Sequence, residues 1–191
     1  MSKNIILGIT GSVATVMIFK LIDELEKNGF QVKIITTKAS WLFVLSVLAR
    51  KPGKIFKFLE IWESGLLEFT GAFSKEKGKV RHINLVKWAD AMLIAPASAN
   101  TISKVVHAFA DNFLTTTALA MPANKKIFIA PAMNVNMWQN PFFLKNMEEL
   151  KKEQMYKVIG PVTGTLQCGD EGIGKMASIK DIVERMNNEM S

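Results

Sequence analysis

The sequence predicts a doubly wound α/β fold, in which a parallel sheet lies between two layers of helices. Short apolar runs alternate with amphipathic stretches, the chain opens with strand, turn, helix and strand, and small or amide residues follow the later apolar runs. The 191 residues, 49% of them hydrophobic and 21% charged, suffice for a domain with a buried core. We therefore predict one three-layer domain over residues 1–191.

The first half of the chain contains two predicted strands and two predicted helices. Asn4–Ile9 is a short apolar run, and Val13–Lys27 carries apolar residues at helical spacing up to an Asn-Gly stop. Phe30–Thr36 is rich in β-branched residues and predicts the second strand, and Ser40–Arg50 predicts the second helix. Residues 51–80 show no sustained period, so we expect a mobile or substrate-facing excursion there.

The second half continues the alternation of helix and strand. His82–Trp88 predicts a short amphipathic helix before the apolar strand Ala91–Ala95, and Thr101–Ala120 predicts one long helix before the strand Ile127–Ala130. The remaining predictions are a helix over Asn140–Gln154, a strand over Tyr156–Ile159, a glycine-punctuated loop over Thr163–Lys175 and a C-terminal helix over Ser178–Met190.

The charge of the chain limits the classes of partner. Lysine and arginine outnumber aspartate and glutamate by 24 to 17, which gives a formal charge of +7 and an isoelectric point of about 9.5. The lysines are dispersed and form no arginine-rich helix, so we expect an anionic small molecule rather than nucleic acid.

Cellular context is predicted from three features of the sequence. Residues 1–8 lack the pattern of a secretory signal, and no apolar stretch is long enough to span a bilayer. The single cysteine, Cys168, excludes an intrachain disulfide. We expect a cytoplasmic protein that uses neither a membrane nor a metal site.

The turn after the first strand carries Gly11, Ser12 and Val13. Backbone N–H groups at the start of a helix, with a hydroxyl beside them, form a phosphate site. Only Gly8 and Gly11 precede the helix, so the Gly-x-Gly-x-x-Gly dinucleotide pattern is absent and a mononucleotide fits better than NAD. A plain turn between strand and helix explains the same residues equally well.

Small and hydroxyl residues also follow the second and third predicted strands. Their hydroxyl groups suit a phosphate or a polyol chain, and their small side chains let a planar ring approach the backbone. Asn100 is in addition a candidate helix cap, which is the alternative explanation of its segment. The residues are Thr36, Thr37 and Ser40 after the second strand, and Ser98, Ala99, Asn100 and Thr101 after the third.

Three residues are candidates for chemistry, and each has a structural alternative. His82 precedes an apolar helix face and is either catalytic or structural, whereas His107 within the long helix is interpreted as structural. Asn134 lies among methionines and a tryptophan, a pattern typical of a core or a subunit interface, yet its amide N–H groups suit a buried carboxylate. Cys168 lies in a glycine-rich loop, where its thiol is either inert or a proton donor.

Several segments resemble the homo-oligomeric flavin-containing cysteine decarboxylases, and most closely the phosphopantothenoylcysteine decarboxylase family. The resemblance covers nearly the whole chain apart from residues 45–80. The segments that carry it are Gly11-Ser12-Val13-Ala14, His82-Ile83-Asn84-Leu85 with Trp88-Ala89-Asp90, Pro96-Ala97-Ser98-Ala99-Asn100-Thr101, Asp111-Asn112, Pro131 to Trp138, and Cys168-Gly169-Asp170-Glu171-Gly172 with Gly174 and Met176.

The resemblance implies a Rossmann-like (flavodoxin-like) fold that assembles as a homotrimer or a dodecamer of trimers, with FMN bound at a subunit boundary. Gly11, Ser12 and Val13 are then expected to hold the flavin phosphate and ribityl chain together with the turn from Thr36 to Ser40. Ser98, Ala99, Asn100, Thr101 and Ala132 are expected along the flavin.

The implied activity is decarboxylation of 4′-phosphopantothenoylcysteine to 4′-phosphopantetheine, in coenzyme A biosynthesis, through transient oxidation to a thioaldehyde, CO2 loss and re-reduction. His82 matches the family's catalytic histidine, as a general base or an orienting group. Asn134 matches the carboxylate-binding asparagine, with Met137 beside it at the substrate. Cys168 matches the thiol on a flap over the substrate and is assigned the proton for the final step.

Two alternatives use the same cofactor. A peptidyl-cysteine decarboxylase of the lantibiotic-maturation type performs the same oxidation and CO2 loss but releases the enethiol. A non-catalytic flavin-binding regulatory subunit is the other alternative, although relatives of that kind often carry acidic extensions and this chain shows no such run. The chain also departs from the family pattern at Thr15, Val16 and Met17, where a lysine or an aromatic residue is frequent.

Overall fold

A five-stranded parallel sheet forms the centre of the computed structural model, which describes residues 2–61, 81–166 and 169–191. The strand order is β2-β1-β3-β4-β5, and the predicted doubly wound α/β fold is confirmed. The strands are β1 (Lys3–Ile9), β2 (Phe30–Thr36), β3 (Ala91–Ala97), β4 (Lys126–Pro131) and β5 (Tyr156–Val158).

The strand order reverses beside β1, because β2 lies on one side of it and β3, β4 and β5 lie on the other. Ile9 pairs with Thr36 and Gly8 pairs with Ile94, in parallel register. The strands therefore all end along one side of the sheet, here called the carboxyl edge, and all begin along the opposite side, the amino edge. In open α/β sheets, ligands bind at the carboxyl edge where the strand order reverses.

Helices cover both faces of the sheet, as the three-layer prediction requires. Each face buries its own apolar cluster against the continuous apolar strands, which is typical of parallel sheets. One face carries α1 (Ile18–Lys27), α2 (Trp41–Arg50), α3 (Ile55–Ile61) and α9 (Ile179–Met190), and the other carries α4 (Arg81–Trp88), α5 (Ala99–Val106), α6 (Phe113–Leu119) and α8 (Pro141–Lys152).

The first predicted helix begins as a 3₁₀ turn. Residues Val13–Met17 form this turn, and α1 continues from it to Lys27. The excursion expected for residues 51–80 is only partly described: Pro52–Lys54 forms a second 3₁₀ turn and α3 follows it, while residues 62–80 lie outside the described part of the chain. No helix among the described residues is long and apolar enough to cross a membrane.

The prediction of one long helix over Thr101–Ala120 is wrong, because two helices, α5 and α6, occupy this stretch. Ala108 has a φ of 55°, a left-handed conformation that cannot continue a helix. Asn112 then begins α6 by accepting a hydrogen bond from the Thr115 N–H at 3.1 Å. His107 consequently lies at the end of α5, exposed, with its Nε2 3.2 Å from Oδ1 of Asn146.

The prediction of a loop over Thr163–Lys175 is also wrong. An antiparallel hairpin forms there, with β6 (Val162–Thr165) paired to β7 (Glu171–Lys175) and separate from the main sheet. Gly172 and Gly174 lie within β7 with φ values of 155° and 147°. Glycines in a strand are therefore used here for conformations that other residues rarely adopt.

Candidate functional site

Thr10 joins the ends of β1 and β3 at the carboxyl edge. Its side chain is fully buried, and its Oγ1 donates to the carbonyl oxygen of Pro96 at 2.6 Å and accepts from the N–H of Ser98 at 2.8 Å. The carbonyl oxygen of Thr10 accepts from the N–H of Ser12 at 2.8 Å and from the hydroxyl of Thr15 at 3.3 Å. One threonine thus fixes the relative position of two strand ends where the strand order reverses.

The turns after β1 and β2 touch at Gly11. A Cβ atom at Gly11 would lie 2.8 Å from the Cβ of Ala39, a distance at which atoms overlap. Glycine is therefore required for the two turns to approach this closely, in agreement with the expectation that the first two strands end side by side. Val13, next in the chain, is 42% exposed at the start of the 3₁₀ turn.

The end of β4 is bonded to the ends of β1 and β3 through Ala132. The N–H of Ala132 donates to the carbonyl oxygen of Ala97 at 3.0 Å, and its own carbonyl accepts from Oγ of Ser12 at 3.2 Å. Oγ of Ser12 also accepts from the N–H of Ala14 at 3.4 Å, which caps the 3₁₀ turn. The structure therefore brings three of the predicted cofactor segments together.

The turn after β2 contains a buried hydroxyl without a partner among the described residues, namely Oγ1 of Thr37. The backbone of Thr37 is fixed, because its N–H donates to Ile9 at 3.0 Å and its carbonyl accepts from the hydroxyl of Ser40 at 2.7 Å. An unpaired buried polar group lowers the stability of the folded state by about 1–3 kcal/mol. A ligand that forms a hydrogen bond with this hydroxyl would remove that cost. The hydroxyl of Ser40, in contrast, is already used in the hydrogen bond that closes the turn.

Ser98, not Asn100, caps helix α5. Oγ of Ser98 accepts from the N–H of Thr101 at 3.4 Å and donates to Oγ1 of Thr101 at 3.2 Å. The cap predicted at Asn100 is wrong because Ser98 has the extended backbone that a cap needs, while Asn100 is already the second residue of the helix and is exposed. Thr101 is buried and Ala99 is half-buried.

The hairpin of β6 and β7 rests on the segment that follows β4. The N–H of Met133 donates to the carbonyl oxygen of Gly174 at 3.0 Å. A Cβ atom at Gly174 would overlap the carbonyl oxygen of Met133, and one at Gly172 would lie 2.8 Å from Cγ2 of Val135. Both glycines are therefore needed for this contact, which brings Asp170 next to Asn134.

Asn134 begins α7 (Val135–Trp138), a four-residue helix. Its Oδ1 accepts from the N–H of Asn136 at 2.8 Å, and its Nδ2 donates to Oδ2 of Asp170, also at 2.8 Å. Because the amide oxygen is held by the backbone, the amide N–H groups are directed away from α7 and toward other acceptors. Met137, the third residue of α7, is 49% exposed.

His82 is the second residue of α4 and is half-buried. The other end of α4 lies at the amino edge, where the carbonyl oxygen of Trp88 accepts from Nδ2 of Asn4 at 2.9 Å. At 1.5 Å per residue, the six residues from His82 to Trp88 place His82 about 9 Å along the helix from that end. Cys168 lies outside the described residues, and its described neighbours in the hairpin are Leu166 and Gly169.

Sequence reasoning missed the residues that position this site. Thr10 belongs to no motif, and Asp170 belongs only to the segment Cys168-Gly169-Asp170-Glu171-Gly172, because neither residue lies in a periodic pattern. The position of Thr10 directly after an apolar strand was the available signal. Within residues 2–61, 81–166 and 169–191, no group of three or more His, Cys, Asp or Glu side chains is arranged to hold a metal ion.

Comparison with known proteins identifies relatives of the whole chain. The family model described as Flavoprotein matches residues 1–191. A Streptococcus mutans protein named "Probable phosphopantothenoylcysteine decarboxylase" is 36% identical over 194 residues, a match that covers 100% of both chains. The resemblance inferred from the motifs is confirmed by this relative.

Solved structures of similar proteins also match nearly the whole chain. A PPC decarboxylase mutant complexed with pantothenoylaminoethenethiol has a TM-score of 0.85 and 31% identity, covering 99% of this chain and 98% of that one. The FMN binding protein AtHal3 has a TM-score of 0.82 and 31% identity, with 99% and 97% covered. The peptidyl-cysteine decarboxylase EpiD has a TM-score of 0.75 and 28% identity, with 96% and 98% covered. The chain therefore belongs to the flavoprotein family.

Proposed function

We propose that the protein is an FMN-dependent decarboxylase that converts 4′-phosphopantothenoylcysteine to 4′-phosphopantetheine, a step of coenzyme A biosynthesis. The observation that carries the proposal lies at the carboxyl edge of the sheet, beside the reversal of strand order. There the Thr37 hydroxyl, which has no partner among the described residues, lies in the turn that Gly11 contacts. The full-length likeness to a protein named for this activity supports the choice of substrate.

The donors at the carboxyl edge fit the chemistry of FMN. The Thr37 hydroxyl and the start of the Val13–Met17 turn offer O–H and backbone N–H donors, which can bind a phosphate group. Gly11, Ser12, Val13, Thr36, Thr37 and Ser40 would hold the phosphate and ribityl chain, and Ser98, Ala99, Asn100, Thr101 and Ala132 would line the ring. When bound, FMN supplies a two-electron acceptor for the sulfur-bearing carbon of the substrate and later returns those electrons.

Asn134 would bind the carboxylate that is lost as CO2. Its amide N–H groups donate hydrogen bonds without adding a positive charge, so the carboxylate is held in place but its charge is not strongly stabilised. That balance favours decarboxylation, because an ion pair would stabilise the reactant more than the transition state. Met137, half exposed beside it, would contact the substrate through its side chain.

His82 and Cys168 are proposed to handle the protons. His82 would accept a proton or orient the reacting thiol, since imidazole is the side chain best suited to proton transfer near neutral pH. Cys168 would donate the proton that the final saturated thiol product requires. This assignment of Cys168 rests on the resemblance of its segment, Cys168-Gly169-Asp170, to the flap of the family.

The experiment is turnover by the FMN-loaded protein, followed by mass spectrometry. Incubation with 4′-phosphopantothenoylcysteine should yield a product lighter by CO2 and otherwise saturated. His82→Asn should lower the rate about 100-fold or more, while His107→Asn, at an exposed histidine, should leave it unchanged. Absence of any product from wild-type protein that has bound FMN would contradict the proposal.

Product analysis also separates the two alternatives. Cys168→Ser should still release CO2 but accumulate a product two hydrogens lighter than the saturated thiol, and full conversion to the saturated thiol would refute its role as proton donor. Turnover of a peptide ending in cysteine, and not of the small substrate, would favour the peptidyl-cysteine activity that EpiD is named for. Binding of FMN without turnover of either substrate would indicate a regulatory subunit.

Assembly and location remain predictions. We propose a homotrimer or a dodecamer of trimers located in the cytoplasm. The surface of α2 and α3 exposes several leucines, which would be covered in an oligomer, and light scattering on the purified protein measures the number of subunits. These are Leu42, Leu45 and Leu59, with exposed fractions of 79%, 55% and 54%.

A further inference from the structure

The amide of Asn134 already holds a carboxylate, and that carboxylate belongs to the chain itself. Nδ2 of Asn134 donates to Oδ2 of Asp170 at 2.8 Å, although the two residues are 36 positions apart. The other end of the amide is occupied, because Oδ1 accepts from Asn136 at 2.8 Å. The donor proposed for the substrate carboxylate is therefore directed at the carboxylate of Asp170.

We propose that Asp170 is a specificity-determining residue that occupies the substrate-carboxylate position on Asn134 and competes with the substrate for it. The inference rests on the proposed function, because it takes Asn134 as the group that binds the substrate carboxylate. Both competitors are carboxylates that accept from an uncharged amide, so they make equivalent bonds and cannot share the site without repulsion between like charges.

The backbone around Asp170 is held in place, so the carboxylate is the part that moves. The carbonyl oxygen of Asp170 accepts from the N–H of Leu166 at 2.8 Å across the hairpin. The base of the hairpin is fixed by the hydrogen bond from Met133 to Gly174 at 3.0 Å. Asp170 is itself exposed, so its side chain can adopt another rotamer that turns the carboxylate away from the amide.

The competition gives the site a means to distinguish substrate from product. A substrate with a carboxylate replaces the Asp170 bond with an equivalent one, whereas the decarboxylated product has no group to offer Asn134. After CO2 leaves, the Asp170 carboxylate can return to the amide and favour product release. The apparent affinity for substrate is reduced in proportion to the fraction of molecules in which Asn134 is occupied.

A pair of unreactive ligands tests this competition by equilibrium binding. The first is 4′-phosphopantothenoyl-alanine, which keeps the carboxylate but lacks the sulfur, and the second is the matching ethylamide, which lacks the carboxylate as well. Calorimetry with FMN-loaded protein should show that Asp170→Ala binds the first ligand about tenfold more tightly than wild type does. The same substitution should leave the affinity for the ethylamide unchanged.

Two further variants control for charge and for folding. Asp170→Asn keeps the shape but removes the charge, so it should give a smaller gain for the first ligand. Glu171→Gln removes an adjacent exposed carboxylate and should change neither affinity. Equal changes for both ligands in Asp170→Ala would show that Asp170 only supports the hairpin, and unchanged or weaker binding of the first ligand alone would also overturn the inference.

The same experiment distinguishes failure of this inference from failure of the proposed function. Wild-type protein that turns over 4′-phosphopantothenoylcysteine but gives no tightening in Asp170→Ala retains its function and refutes the competition. Wild-type protein that binds neither ligand and turns over no substrate refutes both.

Discussion

At the amino edge of the sheet, charged side chains join several elements, whereas at the carboxyl edge uncharged hydroxyls and backbone groups join the ends of β1, β3 and β4. The amino edge is tied by Nζ of Lys125, which donates to the carbonyl oxygens of Val86 at 2.9 Å and Ala89 at 2.6 Å. There too the carboxylate of Asp90 accepts from the N–H of Asn4 at 2.7 Å.

At the carboxyl edge, short side chains and backbone groups join the ends of the strands. Thr10 joins β1 to β3, Ala132 joins β3 to β4, and Gly11 lets the turns after β1 and β2 meet. The amino edge is therefore built for stability, and the carboxyl edge for the close approach of a ligand.

Glycine substitutions at the two edges should give the sharpest contrast. Gly174→Ala places a Cβ on the carbonyl oxygen of Met133, so the hairpin shifts away from Asn134 and the decarboxylation rate should fall about 100-fold. Gly29→Ala is the matched control, because Gly29 also has a positive φ, of 83°, but an added Cβ there would have no atom of the described residues within 4 Å. It should cost about 1 kcal/mol of stability and leave the rate intact. Equal rates in the two variants would contradict the contrast.

Thr10→Val tests whether one hydroxyl organises the carboxyl edge. The substitution leaves the carbonyl oxygen of Pro96 and the N–H of Ser98 without their partner, at a cost of about 1–3 kcal/mol in the free energy of unfolding. FMN affinity, followed by flavin fluorescence, should fall as well because Ser98 loses its anchor. Thr10→Ser keeps the hydroxyl and should restore FMN binding. A variant that is destabilised but binds FMN with unchanged affinity would show that Thr10 serves the core alone.

Glu189→Gln tests the amino edge and should have the smallest effect. The hydrogen bond from Lys126, at 3.0 Å, lowers the pKa of the Glu189 carboxyl below its ordinary value against partial opposition from burial, and the nearby charges of Lys157 and Arg185 lower it further. A lowered pKa stabilises the folded state above the unfolded-state pKa of about 4.3, and the gain is lost as the pH falls through the folded-state pKa.

The pH dependence of thermal unfolding measures this contribution. At pH 7 the Glu189→Gln variant should melt about 2 °C below wild type, as expected for a surface ion pair in a chain of this length. Well below the folded-state pKa the two melting temperatures should coincide. A difference in melting temperature that persists in acid would indicate a packing effect instead of a charge effect. A loss of FMN affinity in Glu189→Gln would contradict the claim that FMN binding depends on the carboxyl edge alone.

The alternation of strands and helices could be predicted because parallel strands buried on both faces are continuous apolar runs. Phe30–Thr36 was predicted with the bounds that the structure shows, and the helix predicted over Ser178–Met190 differs from α9 by one residue. The break between α5 and α6 could not be predicted, because it depends on a left-handed alanine, Ala108, that has no signal in composition.

Parts of the site were predictable because they follow strand ends, and parts depend on distant contacts. The segments around Ser12, Thr37 and Ser98 were found because residues after parallel strands converge at one edge. The bond from Asn134 to Asp170 could not be predicted, since it depends on how a glycine-rich hairpin packs onto the segment after β4.

A crystal structure of the protein with FMN would show which edge of the sheet holds the cofactor. We expect the flavin phosphate to accept a hydrogen bond from Oγ1 of Thr37 in the turn that Gly11 contacts, with the ring along the segment that Ser98 begins. FMN bound at the amino edge, or at the carboxyl edge with the Thr37 hydroxyl still unpaired, would contradict it.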